Sequence, residues 1–275
     1  MNLLKTTKRL KHLFSLSRKT SLDSSYAGEY AVLNGLIREL EINSGYVIDI
    51  AASDGYSQSS TLGFFRRDSW SGLAVEMDPY KFSALAFLYA DFRNARLVRS
   101  RVTPSNIGSL LESCEVPKEA TVLNLDIDSY DLYVIEEMLR AGYKPKVISM
   151  EINEKVPPPI YFTVLYEDDH YWQGDHFFGC SIVAASDVVK PFDYILHSLA
   201  YNNAIFIRSD IAQNRYSDRS VEDAYNEGYR NKIDRKELFP YNADVDCLLK
   251  YSPDDAVRFI ANLFQKYKGK YILKK

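Results

Sequence analysis

Along this chain the apolar positions change their period several times, and each change marks an element. Between Tyr26 and Leu40, apolar side chains recur at Ala31, Leu33, Leu36 and Leu40, which is helical spacing. The run Tyr46 to Ile50 (Y-V-I-D-I) is short, apolar and followed by small residues, as a buried parallel strand is. Ser57 to Phe65 predicts the next helix, and Gly72 to Val75 a second strand. Pro79 opens a helix to about Ala90, proline being tolerated at the first helical position. Arg96 to Arg99 reads as a third strand, Pro104 to Ser113 as a helix and Thr121 to Ile127 as a fourth strand. Leu132 to Arg140 is helical and stops at Gly142, a natural C-terminal glycine, before a fifth strand over Lys146 to Ile152.

Strands and helices that alternate over short connections predict an α/β architecture: a Rossmann-like, doubly wound parallel sheet with helices on both faces. Pro157, Pro158 and Pro159 then forbid regular structure and begin an irregular stretch to about Gly179. Ser181 to Val189 is helical in pattern. Tyr194 to Ser198 and Ala204 to Arg208 form a closing pair of strands around Tyr201, Asn202 and Asn203, which brings the sheet to seven strands with an antiparallel edge. From Asp210 the chain is polar and rich in tyrosine, then helical from about Pro253 to Tyr267. The expected organisation is a basic helical N-terminal extension over 1–44, a Rossmann-like domain over 45–210 and a mostly helical C-terminal extension over 211–275.

Composition narrows the classes of partner. With 275 residues and 46% hydrophobic positions, the chain is long enough to bury about three quarters of its unfolded surface. A net charge of −3 gives no electrostatic reason to expect nucleic acid. Cys114, Cys180 and Cys247 are far apart and have no C-x-x-C spacing, so neither a disulfide framework nor a zinc site follows, and a cytoplasmic location is expected. No apolar run approaches the ~18 residues that span a bilayer. The leader carries Lys5, Lys8, Arg9, Lys11, Arg18 and Lys19 among leucines with no acid before Asp23. Two readings fit it: peripheral contact with an anionic membrane or a partner subunit, including a second copy in a homo-oligomer, or a plain solvated helix.

Candidate chemistry gathers at the expected strand ends, where doubly wound sheets bind ligands. The first strand runs into Asp49, Ile50, Ala51, Ala52, Ser53, Asp54 and Gly55, small residues that let backbone approach a ligand closely, with Gly55 free to take a positive φ. Alanine and serine stand where G-x-G-x-x-G has its first glycines, which disfavours a pyrophosphate and hence a dinucleotide. The second strand ends in Glu76 and Met77, and an acid there can accept both hydroxyls of a ribose. Arg101, Val102 and Thr103 follow the third strand and are candidates for lining a base pocket. An ordinary strand-to-helix turn and an exposed glutamate are the bland readings.

The fourth strand ends Leu125, Asp126, Ile127, Asp128, and the fifth Met150, Glu151, Ile152, Asn153. Alternation along a strand turns Asp126 and Asp128 the same way. Neighbouring strands would then gather Asp126, Asp128, Glu151 and Asn153 in one oxygen-rich crevice, a donor set suited to Mg²⁺. The same acids equally suit an ammonium group, a sugar hydroxyl or a helix cap. His170 and His176 lie in the segment Glu167 to His176 beyond the prolines, where a lid would lie. Each is a candidate general base or an ordinary surface histidine.

The combined pattern resembles the FkbM-type and related class I methyltransferases. The matching residues are V-I-D-I-A-A-S-D-G (Val47 to Gly55), V-E-M-D-P (Val75 to Pro79), L-D-I-D-S-Y-D (Leu125 to Asp131), M-E-I-N (Met150 to Asn153) with its prolines, and N-A-I-F-I-R (Asn203 to Arg208). The resemblance spans roughly residues 45–210 and implies S-adenosylmethionine as methyl donor. It also implies an O-methylated saccharide, glycoconjugate or natural product as acceptor. On this reading Asp49, Ala51, Ser53, Asp54 and Gly55 hold the amino-acid end of the donor, Glu76 and Met77 its ribose, and Val102 its base. Asp126 sits beside the transferring methyl, Asp128, Glu151 and Asn153 join it as Mg²⁺ ligands, and His170 or His176 takes the acceptor proton. A Rossmann-type oxidoreductase, opposed by the missing glycines, and a non-catalytic scaffold are the rival classes.

Overall fold

The computed structural model describes residues 21–213 and 215–275; the basic leader, with its expected helix and membrane contact, lies outside the described residues. Seven strands form one sheet in the order Ala95–Arg99, Trp70–Glu76, Gly45–Ile50, Val122–Leu125, Val147–Glu151, Asn203–Arg208 and Tyr194–Ala200, a mostly parallel α/β arrangement of the Rossmann-like kind. The chain divides into two compact units, one ending at Val102 and the other running from Thr103 to Lys275.

In the first unit, α1 (Glu29–Glu39) buries Tyr30, Leu33, Leu36 and Ile37; of the positions its spacing predicts, Leu33 and Leu36 lie in this face, whereas Ala31 is exposed and Leu40 half-buried. Strands β1 (Gly45–Ile50), β2 (Trp70–Glu76) and β3 (Ala95–Arg99) pair in parallel, with Ile48 opposite Leu73 and Ala74 opposite Leu97. Helix α3 (Pro79–Leu88) starts as its sequence dictates. Asp78 caps it by accepting from the N–H groups of Tyr80 and Lys81, and Pro79 occupies the first turn.

One expectation fails here. The helix read from Ser57 is confined to α2 (Leu62–Phe65). Polar side chains capture the backbone before it can coil: Asp54 Oδ1 accepts from the amides of Tyr56 and Ser57 at 2.9 and 2.6 Å, and Ser59 Oγ accepts from Leu62 N at 3.1 Å. Gln58 takes a left-handed φ of 62° between them.

The second unit continues with α4 (Ile107–Ser113), β4 (Val122–Leu125), α5 (Asp131–Arg140) and β5 (Val147–Glu151). Helix α6 (Ile182–Val189), capped by Ser181, leads to the antiparallel pair β7 (Tyr194–Ala200) and β8 (Asn203–Arg208). Strand β8 lies antiparallel to β5, the edge reversal that the two closing apolar runs predict. The stretch after the prolines is less irregular than its sequence suggests. It contains β6 (Tyr161–Val164), which pairs antiparallel with β9 (Tyr271–Lys274) from the end of the chain.

The tail holds α7 (Ser209–Ala212), α8 (Val221–Tyr225), α9 (Arg235–Leu238) and α10 (Pro253–Leu263). A buried cluster joins Val156, Ile160, Phe162 and Phe177 to Leu248, Ile260 and Phe264 of this tail. Among the described residues no helix is long and apolar enough to cross a membrane.

Candidate functional site

The turn after β1 is held in a conformation that its residues do not prefer. Ala51 and Ser53 adopt left-handed φ values of 67° and 52°, alongside Gly55 at 76°. Each non-glycine residue there costs about 1–2 kcal/mol. Such strain persists only where surrounding bonds over-determine it, and it gathers at sites that bind. The bonds are present. Ala52 N donates to Val75 O and Gly55 N to Ala52 O, both at 3.0 Å. Glu76, buried at the end of β2, receives Ser53 N on Oε2 at 2.8 Å and Asp78 N on Oε1 at 2.7 Å. Asp49 is also buried and accepts from Thr61 Oγ1 at 2.6 Å, while Tyr89 Oη donates to Gly55 O at 3.3 Å.

Two consequences follow for the sequence reading. The amides just beyond Gly55 are taken by Asp54 and do not offer themselves to a ligand. Glu76 joins the turn to its own strand end, and each of its oxygens, having accepted one N–H, keeps a lone pair for a further donor. Met77 is exposed and Val102 buried. Thr61 and Tyr89 carry the turn and were missed, because nothing local marks a threonine or tyrosine as the partner of a distant loop.

In the second unit the acids converge, though not through strand alternation. Strand β4 ends at Leu125, one residue before Asp126, and Asp128 has a left-handed φ of 60°. Asp131, the first residue of α5, shapes the turn instead. Its fully buried carboxylate accepts from Ile127 N at 2.7 Å and Ser129 N at 3.1 Å. Asp126, Asp128 and Glu151 each offer one carboxylate oxygen such that all lie within 4.8 Å of one another.

Packing the negative charges together has an electrostatic price. Burial pushes the Glu151 carboxyl well above the usual range, and the charges of Asp126, Asp128 and Asp131 push it further. Burial also raises Asp131 to about 6, with the Asp128 charge adding to the effect. Asn202 donates to Glu151 Oε1 at 2.9 Å, whereas Glu151 Oε2 is buried without a hydrogen-bond partner. Three carboxyls that repel one another when ionised, one of them with an orphaned buried oxygen, fit a hard divalent cation.

Asn153 acts first as a clamp. Its Nδ2 donates to His176 O at 2.9 Å and Phe178 O at 3.0 Å, tying the segment after the prolines to the end of β5. His176 Nε2 stands 3.1 Å from both oxygens of Asp244. His170 packs edge-on to Phe177, and burial lowers its pKa. Neither histidine belongs to the group of converging donors. The sequence pattern contains Asp131 but gave no sign of its task, because that task is set by backbone amides.

No protein-family model matches the chain, and no curated protein matches it. Among solved structures, the N-terminal domain of EvdMO1 in the presence of SAH and D-fucose is similar at 9% identity and a TM-score of 0.43, over 75% of this chain and 95% of that one. An O-methyltransferase family protein from Burkholderia thailandensis is similar at 11% identity and a TM-score of 0.39, over 74% and 69% respectively. Magnesium protoporphyrin IX methyltransferase from Synechocystis PCC 6803 with bound SAH is similar at 6% identity and a TM-score of 0.43, over 74% and 95%. Methyltransferases, O-methyltransferases among them, thus recur among the structural neighbours, but likeness at this level does not reach the reaction.

Proposed function

We propose that the chain is an S-adenosylmethionine-dependent methyltransferase that O-methylates a saccharide, glycoconjugate or natural product with the help of Mg²⁺. The observation that carries the reading is Glu76: a buried carboxylate at the end of the second strand, fixed by two backbone amides beside a strained small-residue turn. A carboxylate so oriented accepts a vicinal diol without reorganising, as a ribose requires. Residues 45–210 are then the donor-binding domain, with 1–44 and 211–275 as its extensions.

When bound, adenosylmethionine would supply an electrophilic methyl group for attack by a hydroxyl oxygen, with the adenosylhomocysteine thioether as leaving group. Asp49 and Asp54 hold the turn, Ala51, Ser53 and Gly55 shape it against the donor's amino-acid end, and Met77 and Val102 flank the nucleoside. Asp126, Asp128 and Glu151 would hold Mg²⁺, with Asn153 Oδ1 as the further ligand proposed for it, and the ion would lower the pKa of a bound hydroxyl. Of the two histidines, His176 has its ring oriented by a carboxylate, Asp244, the arrangement that suits an imidazole accepting a proton. Holding donor and acceptor in line supplies up to ~7–11 kcal/mol of the barrier reduction.

Calorimetry with adenosylhomocysteine on the full chain tests the reading. Binding is expected, and Glu76→Gln should weaken it by about tenfold or more, the worth of one hydrogen bond to a charged group. Absence of binding at millimolar ligand, or preferential binding of NAD⁺, would remove the proposal.

A further inference from the structure

In the second unit, the segment after β6 and the tail before β9 line an open hollow of about 160 Å³. Pockets for drug-sized ligands run to about 300–1,000 Å³, so this one admits only a small molecule. None of Asp126, Asp128 and Glu151 lines it. Phe177 and Tyr267 contribute to its wall, stacked with centroids 3.9 Å apart and planes 11° apart. Tyr267 is anchored from outside: its hydroxyl donates to Asp175 Oδ2 at 2.6 Å, and Lys266 Nζ donates to the same oxygen at 2.8 Å.

The polar groups of the cavity are out of balance. Lys270 Nζ is committed to Glu167 Oε2 at 2.7 Å. Gln173 spends its Nε2 on Tyr171 O at 2.8 Å, which leaves its Oε1 as an acceptor. Asp169 adds a second carboxylate, and His170 adds no charge near neutrality because burial favours its neutral form. Among the lining residues two carboxylates therefore share one ammonium. A molecule that completes this cavity brings N–H donors and a positive charge.

We propose that the cavity is a binding site for a small ammonium-bearing ligand, of monosaccharide size or less, recognised by Asp169 and Glu167. Asp169 is exposed, so the attraction is partly screened and one such pair is worth at most about fivefold in affinity. The site does not depend on the methyl-transfer reading.

Three rings of one size and different charge test it: glucosamine, glucose and glucuronate, titrated into the full chain by calorimetry or ligand-observed NMR at about pH 7. Glucosamine should bind best and lose affinity as salt rises, with glucose weaker and glucuronate weakest. Asp169→Asn should weaken glucosamine by about fivefold. Lys270→Met, which leaves Glu167 without its partner, should strengthen it. Equal binding of the three sugars, no binding of any, or a Lys270→Met variant that binds glucosamine less well would overturn the proposal.

Discussion

Gly55→Ala perturbs the turn after β1 in two ways. The backbone there has φ +76°, and a Cβ at this position would lie 2.6 Å from Leu85 Cδ1 and 2.8 Å from Tyr89 Cε1. The left-handed conformation costs an L residue about 1–2 kcal/mol. Overpacking against a buried helix face adds about 1–3 kcal/mol. Reduced entropy of the unfolded chain returns about 0.4–1 kcal/mol, leaving a net loss of roughly 1–5 kcal/mol. Gly142→Ala provides the control, since Gly142 has φ +83° and a Cβ there meets nothing within 4 Å. It should lose only the conformational part, about 1 kcal/mol. Urea unfolding of the two variants beside the parent protein gives the difference directly. Adenosylhomocysteine affinity should fall in Gly55→Ala and hold in Gly142→Ala, because only the first sits in the strained turn. If the two variants unfold at the same urea concentration, the packing argument for Gly55 is wrong.

Four further outcomes are expected. Thr61→Val removes the 2.6 Å bond to the buried Asp49 carboxylate and should cost about 1.5–3 kcal/mol in chemical denaturation, with loss of donor affinity; an unchanged midpoint refutes the role given to Thr61. Phe264→Ala empties the cluster shared by Phe162 and Phe177 and should cost about 3–5 kcal/mol; a loss below about 1 kcal/mol would mean the tail is not part of that core. Asp131 shifts from its ordinary 3.8 to about 6 in the fold, so between those values this group holds more proton in the folded chain than in the unfolded one, and its contribution to stability falls as pH rises. The shift is worth about 3 kcal/mol, and Asp131→Asn should flatten that part of the profile in thermal melts across about pH 4–7. A divalent cation favours the ionised acids, so Mg²⁺ should raise Tm more at about pH 7.5 than at about pH 5; equal increments would count against a metal at Asp126, Asp128 and Glu151.

The sequence by itself determined what short-range physics can determine. Apolar period marked every strand of the seven-stranded sheet, because a strand buried in a sheet and an amphipathic helix place their apolar residues at different spacings. Pro79 and Gly142 marked helix ends through backbone geometry that acts within a few residues. The same local logic put Glu76 at a strand end and gathered Asp126, Asp128 and Glu151 as candidates. Only the tertiary structure decided how those groups are held. Asp131 curls the acidic turn through two backbone amides, where strand alternation was expected to align the carboxylates. Asp54 stops a helix that the apolar pattern announces, because its carboxylate competes for the same N–H groups. Strand β6 finds its partner in β9 at the far end of the chain, and no local pattern carries information about so distant a pairing. Periodicity records which face of an element is buried; it does not record which remote side chain or backbone group will satisfy the polar atoms that burial strands there.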